Sequence, residues 1–397
     1  MSFSVVRRIL NRDGVFVLFI LLLSIFLLIL PSRFKSPFGQ DVERTRGRVL
    51  EVDNSDIQTF GVVSAGSQGL RIKVLEGPYK DQEVEATNNL IGKMETDKMF
   101  RVGDEVFLVM DFDQGRLFAA TAYDHYRLST ELFLVVLFAA FLIVFAGWSG
   151  VRALLSFVFA LLLMWKVLFP SLLLGHDPIW VALGVVVVMT AATLYLVAGV
   201  NKTALVALLG SFLGILLTSG LAVVLQPSFH LHGAIQPFSE TLLYSGFEHL
   251  NLTRIFLAAI FIGASGAVLD VAIDVSTAMN EVVEKRPDLS RKALIRSGFA
   301  VGRNMTSTMV TTLLMAYVSG YMALLMVFMA QGVPPMYLLN TNYVAAEILK
   351  TVVGSFGLVT VAPFTAIVGG ILYVRGRSSL TEHEPEHKLV GSHFVQD

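Results

Sequence analysis

Two textures alternate along this chain. Apolar runs of about 20 residues, the length that crosses the hydrocarbon core of a bilayer, recur at roughly 14–31, 131–149, 152–174, 178–199, 203–226, 254–277, 304–330 and 355–374. They predict an α-helical polytopic membrane protein with about eight transmembrane helices. Several runs contain glycine, which membrane helices accept more readily than soluble ones. Between the first and second runs the period changes. "RTRGRVLEV", "GLRIKVLEG" and "DEVFLVMDF" alternate with the period of a strand, and "EGPYKDQ" and "DFDQGRL" supply turn residues between them. Five or six short strands in about 85 residues predict a small closed β-barrel, of OB type, inserted after the first helix. The expected domains are an anchor helix (1–31), the barrel (32–130), a seven-helix membrane domain (131–376) and a polar tail (377–397).

The first run, "VFVLFILLLSIFLLILP", is longer than the apolar region of a secretory signal, and no small-x-small cleavage site precedes "PSRFKSP". It is expected to stay as an uncleaved anchor. Composition agrees: the chain has 397 residues, 54% of them hydrophobic and only 15% charged.

The charges are sorted. Arg7, Arg8 and Arg12, "GVR" at 150–152, "NK" at 201–202, "EKRPDLSRK" at 284–292 and "RGR" at 375–377 fall on one side of the alternating spans. The loops on the other side, "GHDP", "QPSFHLHGAIQPFSETLLYSGFEH" and "QGVPPMYLLN", contain neither lysine nor arginine. Short loops rich in these residues stay in the cytoplasm. The expected placement is therefore a cell membrane, with both termini cytoplasmic and residues 32–130 outside.

Several chemistries are argued against. The chain has no cysteine, which excludes disulfides, thiol catalysis and thiolate metal sites. His230 and His232 lack an accompanying ligand cluster and read as an ordinary polar loop, so no metal or other cofactor is expected. Acids and bases nearly balance over the barrel, and no aromatic–basic surface stands out, which argues against nucleic acid. There is no G-x-S-x-G, no H-E-x-x-H and no phosphate loop, so an enzyme is not expected.

The chemistry that does stand out lies in "GASGAVLDVAIDVSTAMNE", residues 263–281. Gly263, Gly266, Asp270, Asp274, Thr277 and Glu281 follow one another at helical spacing, on one face. Small residues let a second helix approach closely. The carboxylates cannot face lipid without a cost of about 2.5–3.5 kcal/mol or more each at mid-bilayer, so an acid there is a functional candidate. Asp270 stands about 24 Å along the helix from Arg254, in the inner half of the membrane, with Asp274 near the boundary.

In the next run, "VGRNMTSTMVTTLLMAYVSG", Asn304, Ser307, Thr308 and Thr311 form a polar face that starts beside Arg303. Such hydroxyls either bond their own backbone or supply a hydrated path beside the acids. Glu347 and Lys350 lie in "NTNYVAAEILKTVVGSFG". Residues 341–353 read as an interfacial or re-entrant helix broken at "GSFG", which leaves Glu347 and Lys350 wet. With Arg303, they are charge-partner candidates for the acids. Lys166 in "LMWKVLFP" is expected to snorkel to an interface.

The aspartate segment, "SGFAVGRNMTSTMVTTLLMAY" and "AAEILKTVVGSFGLVTVAPFTAI" closely resemble the YibE/YibF-like multipass membrane proteins of bacteria. "VLEGPYKDQEV", "NNL" and "RVGDEV" resemble the outer domain that precedes that family's membrane helices. The resemblance spans nearly the whole chain and implies a multispanning transporter or permease with no settled substrate. A weaker, distant likeness is to half of a resistance–nodulation–division or SecD/SecF membrane domain. There, carboxylates on one helix relay protons with polar residues on neighbouring spans. That likeness would make Asp270 and Asp274 the relay and the Asn304–Thr312 face its partner. The chain departs from the pattern in lacking large paired outer domains and in separating its acids by three residues.

Two carboxylates about 6 Å apart along a helix titrate as a coupled pair, which suits coupling to a proton or a monovalent cation. The function expected is proton- or cation-coupled movement of a small solute. The alternative is a non-transporting assembly or signalling subunit whose outer domain binds a partner and whose acids hold helices together. An intramembrane aspartyl protease is disfavoured, because one helix face cannot supply two opposed carboxylates. The small-residue face leaves a homo-oligomer or a partner membrane protein open.

Overall fold

The computed structural model describes residues 12–31 and 42–374, and the chain divides into two compact units, residues 33–145 and the remainder. Arg7, Arg8, the "RGR" at 375–377 and the tail 377–397 lie outside the described residues. In residues 33–145, β1 (Val42–Phe60), β2 (Val63–Val74), β3 (Glu83–Ile91), β4 (Glu105–Asp113) and β5 (Arg116–His125) close a barrel in the order β1-β2-β3-β5-β4. All pairings are antiparallel except β3 with β5, which meet in parallel at Thr87 and Thr121. This is the barrel expected from the alternation, built from five strands.

The closure depends on β1, which pairs with β4 through Val42–Arg48 and with β2 along the rest of its length. Register shifts between Val49 and Glu51 and between Asp53 and Asp56 bend it around the barrel, as extra residues in a strand do. The β4–β5 hairpin turns at Gln114 and Gly115, both at positive φ (49° and 77°), the backbone that a two-residue turn between twisted strands requires. β3 alternates strictly between exposed and buried positions. Val49, Ile72, Val74, Val106, Leu108 and Met110 fill the interior.

Two amides close one end of the barrel. Buried Gln68 donates to the Phe100 carbonyl (3.0 Å) and accepts from the Phe100 amide (3.0 Å) and from Asn88 (3.0 Å). Asn88 in turn donates to the Lys98 carbonyl at 2.6 Å. The loop between β3 and β4 is thereby tied across the barrel, with Phe100 only 2% exposed. On the outer surface Arg46 and Arg48 both bond Glu105. These bonds hold the Glu105 carboxyl below its ordinary value.

The other unit is helical: α1 (Arg12–Ile29), α2 (Leu128–Leu163, which begins in the barrel unit), α3 (Phe169–Leu173), α4 (Pro178–Ala198), α5 (Lys202–Phe229), α6 (Ser239–Tyr244), α7 (Leu252–Lys285), α8 (Arg291–Gly320), α9 (Met322–Ala330), α10 (Pro335–Asn340) and α11 (Asn342–Val374). A π-helical turn, Met164–Leu168, joins α2 to α3. Among the described residues, six helical segments are long and apolar enough to cross a membrane, or seven with the bent pair α8–α9. One of these, Leu128–Leu173, runs 46 residues. At 1.5 Å per residue that is about 69 Å, length for two crossings of a core about 30 Å thick. Its helical backbone breaks at Gly147 (φ 56°, ψ −131°), close to the expected boundary between the second and third runs.

Three expectations need correction. The run 304–330 is not one straight span: α8 and α9 meet at a 67° bend at Tyr321. The segment 341–353 is not a separate re-entrant helix, because α11 continues through "GSFG" to Val374. Gly354 and Gly357 are points of close packing instead. A Cβ at Gly357 would collide with Thr218 of α5, and one at Gly354 would lie 3.4 Å from Ala264 of α7. A glycine weakens an exposed helix by about 1 kcal/mol, but in a packed helix it admits a neighbour's backbone. Lys166, third, does more than snorkel: its ammonium donates to the Leu30 carbonyl (2.5 Å) just past the end of α1, which suits the partial negative charge of a helix C-terminus.

α11 is central, packing on α5, α7 and α8. Gly210 and Gly214 of α5 face Thr365 and Val361 of α11, so the two backbones come close. At one end Ser276 of α7 donates to the Thr203 carbonyl (2.7 Å), and Tyr373 of α11 donates to the Ser276 carbonyl (3.1 Å). At the other, Arg254 of α7 is paired with Asp177, whose side chain also caps α4.

Candidate functional site

α7 runs without interruption because its long apolar run, started by Asn251 as N-cap, contains no proline. It buries most of its circumference, including Val268, Val271, Ala272, Val275 and Met279, against α4, α5, α8 and α11. What remains is a single open stripe. Gly263, Gly266, Asp270, Asp274, Thr277 and Glu281 are all exposed. The predicted stripe is therefore real as a helix face; from Gly266 to Glu281 it is open, while at its other end Gly263 faces Tyr317 of α8. Neither Asp270 nor Asp274 has a hydrogen bond or ion pair among the described residues.

The polar face of α8 is likewise turned outward. Gly298 and Gly302 carry the packing: a Cβ at Gly298 would lie 2.6 Å from Met279 and one at Gly302 2.5 Å from Ala362. Asn304, Ser307, Thr308 and Thr311 project on the opposite side and are exposed. Ser307 donates to the Arg303 carbonyl (2.8 Å) and Thr308 to the Met305 carbonyl (3.0 Å), so these hydroxyls bond their own helix. No bond joins this face to Asp270 or Asp274 among the described residues. Arg303 is exposed and also has no ion pair there; a Cβ at Gly302 would lie 3.6 Å from Val275, which sets Arg303 at about the level of Asp274.

A second constellation was not legible in the sequence. Because α11 is continuous, Glu347 is not wet: it is 8% exposed. Its Oε2 lies 3.8 Å from the Lys350 ammonium, a long ion pair, and its Oε1 has no partner among the described residues. Lys350 also sits 4.5 Å from the centre of the Tyr317 ring. The Tyr317 hydroxyl, from α8, is itself buried without a partner, and a Cβ at Gly263 would lie 3.0 Å from it. Glu347 lines a cavity of about 160 Å³ whose wall is otherwise almost wholly apolar: Leu314, Val318, Leu325, Ile348 and Val352. The available signal is the spacing of Glu347, Lys350 and Thr351 on one helix, which a break at "GSFG" would hide.

Helices of spanning length, with a closed β-barrel following the first, define a polytopic membrane protein with an inserted soluble-type domain. The chain belongs to the YibE/F-like protein family: the family match covers residues 134–375, and the YibE/F family N-terminal domain matches residues 41–124. No curated protein and no solved structure matches the chain.

Proposed function

We propose that this protein moves a small solute across the cell membrane, coupled to a proton or a monovalent cation that loads at Asp270 and Asp274. The observation that carries this reading is that two carboxylates, without partners among the described residues, share one face of a helix long and apolar enough to cross a bilayer. Acids so placed are costly, and they serve a pathway or bind a partner. No catalytic step, resident metal or organic cofactor enters this reading.

The orientation inferred from lysine and arginine places the barrel outside a bacterial cell and both termini inside. Because the chain has no cysteine, single cysteines at Ser67 and Ser290 can test it. An impermeant maleimide should label only the former in intact cells; labelling of Ser290→Cys instead would reverse the orientation.

Coupling is tested in proteoliposomes bearing a pH gradient and challenged with a panel of ions and small solutes. Wild type should carry at least one of them, Asp270→Asn none, and Asp274→Asn an intermediate amount. Equal flux through wild type and Asp270→Asn would sink the reading. One observation favours the alternative of an assembly subunit: the stripe on α7 is open in the single chain, so Asp270 and Asp274 are also available to another membrane protein or a second copy. Under that alternative Asp270→Asn would release a co-purifying protein.

A further inference from the structure

The barrel gathers exposed apolar side chains at one end, and the chain leaves for α2 from that same end. β3 and β5 run parallel, paired at Thr87 and Thr121, so Ile91 and His125 finish together. The loop 92–104, tied across the barrel by Gln68 and Asn88, starts there. The β1–β2 hairpin reaches further. Ala65 pairs with Ile91, so Val62 at the tip stands three residues past it, about 10 Å at roughly 3.4 Å per residue. Tip and loop lie side by side, since Val62, Leu90, Met94 and Met99 line one cleft. On this end Phe60, Val62, Ile91, Met94 and Val102 are each at least 60% exposed. A patch of this kind marks contact with a protein or with a membrane.

The junction with α2 decides between the two. Only Tyr126 and Arg127 separate β5 from α2, and both are held: the Tyr126 amide donates to the Glu105 carbonyl (2.8 Å), and Arg127 pairs with Asp124 (3.0 Å). From His125 to Leu128 the chain spans at most about 11 Å, at up to about 3.6 Å per residue. After Glu131, the uncharged run Leu132–Phe138 is exposed at every position. A helix apolar all round in this way faces lipid. Hydrocarbon therefore begins about one helical turn, roughly 6 Å, past Leu128, under a headgroup layer about 5–8 Å deep. That short tether keeps the apolar end within reach of the bilayer surface. Charge does not choose the lipid, because Lys93, Lys98 and Arg101 are offset in the same loop by Glu95, Asp97 and Asp104.

We propose that this end of the barrel docks on the bilayer, with Phe60, Val62 and Met94 inserted among the headgroups and upper acyl chains and with no requirement for anionic lipid. The contact fixes how the barrel stands on the membrane. It requires only that α2 spans, so it holds on either side of the membrane and is independent of coupling at Asp270.

Because the chain has no cysteine, one environment-sensitive fluorophore can be attached at Val62→Cys, at Met94→Cys or, as a control toward the opposite end, at Phe118→Cys, which is 80% exposed. The full-length protein is placed in phosphatidylcholine nanodiscs, with and without lipid carrying a nitroxide high on its acyl chain. Nitroxide should quench the first two positions at least about twofold more than the control, since inserted apolar side chains reach the headgroup–acyl boundary. Replacing part of the phosphatidylcholine with phosphatidylglycerol should leave quenching within about 1.5-fold, because the end carries no net basic charge. Val62→Asp in the Met94→Cys protein should return quenching to the control level. Phe60→Ser/Val62→Ser should do the same without adding a charge; both side chains are exposed, so the barrel keeps its core. Equal quenching at Val62→Cys, Met94→Cys and Phe118→Cys would overturn the proposal. Protection of the tip from aqueous iodide without nitroxide quenching would also overturn it, by showing that a protein surface covers the patch. So would quenching that requires phosphatidylglycerol, which would assign the contact to charge.

Discussion

In the barrel, the buried polar side chains Thr45, Gln68 and Asn88 each bond a partner, whereas the helical unit leaves several buried polar atoms with none. Ser211, Thr306, Tyr317, Glu347 and Thr365 each have such an atom, all of them in residues 146–374. The difference is one of purpose. A fully satisfied buried network fixes one arrangement of the chain, because every alternative leaves a group unpaired. An orphaned group gives up that stability unless water, an occupant or a second arrangement satisfies it. On this argument the Gln68–Asn88 network fixes one arrangement of the chain more firmly than the Glu347–Lys350–Tyr317 constellation does. The aspartate stripe is a third case, since Asp270 and Asp274 are exposed and unpaired rather than buried and unpaired.

The largest effect expected from this contrast is at Gln68. Gln68→Ala strands the Phe100 amide and carbonyl and removes one of the two bonds of the Asn88 amide, and should cost about 3–5 kcal/mol, since each unsatisfied buried group costs about 1–3 kcal/mol. Hydrogen exchange over residues 42–125 of the full-length protein would show it as faster opening throughout the barrel. A loss below about 1 kcal/mol would mean that water replaces the network easily, and the structural reading would fail.

The next effect separates packed glycines from open ones. Gly302→Leu must push Ala362 aside and should cost about 1–3 kcal/mol. A Cβ at Gly266 meets nothing within 4 Å, so Gly266→Leu should stay within about 0.5 kcal/mol of wild type. Thermal unfolding in detergent compares the two. If Gly266→Leu proved as damaging as Gly302→Leu, the stripe would be covered in the folded protein and its carboxylates would not be open.

A smaller effect distinguishes surface charge from buried polarity in the barrel. Bonds from Arg48 and Arg46 hold Glu105 below its ordinary value. A carboxylate depressed on folding contributes stability that is complete above its unfolded pKa, about 4.3, and is lost as pH falls through the folded value. The Glu105 side chain is 25% exposed, so Glu105→Gln should cost only about 1 kcal/mol near neutral pH. The gap between variant and wild type should close as pH falls below the ordinary carboxylate range. A gap that persists there would assign the loss to packing.

Much of this architecture was written locally. The spanning helices follow from unbroken apolar runs, and the barrel from strict alternation, as in β3, where every second residue is buried. The spacing of Gly263, Gly266, Asp270 and Asp274 was enough to place them on one face, because helix geometry fixes which residues are neighbours along an axis. The direction of that face was not written there. Which side of a helix is covered depends on the order in which distant segments pack, and Asn304, Ser307, Thr308 and Thr311 turned out to lie opposite Gly298 and Gly302, away from the packed helices. Glu347 shows the same limit most clearly. Its local sequence, with glycines seven and ten residues on, reads as a wet helix about to break. The break did not occur, because Gly357 meets Thr218 of α5 and Gly354 meets Ala264 of α7, and those contacts reward a continuous helix. The sequence determined the elements and their faces, through periodicities that each segment carries alone. Tertiary packing decided which glycines are joints, which carboxylates are open and which one is buried, because burial is a property of neighbours far away along the chain.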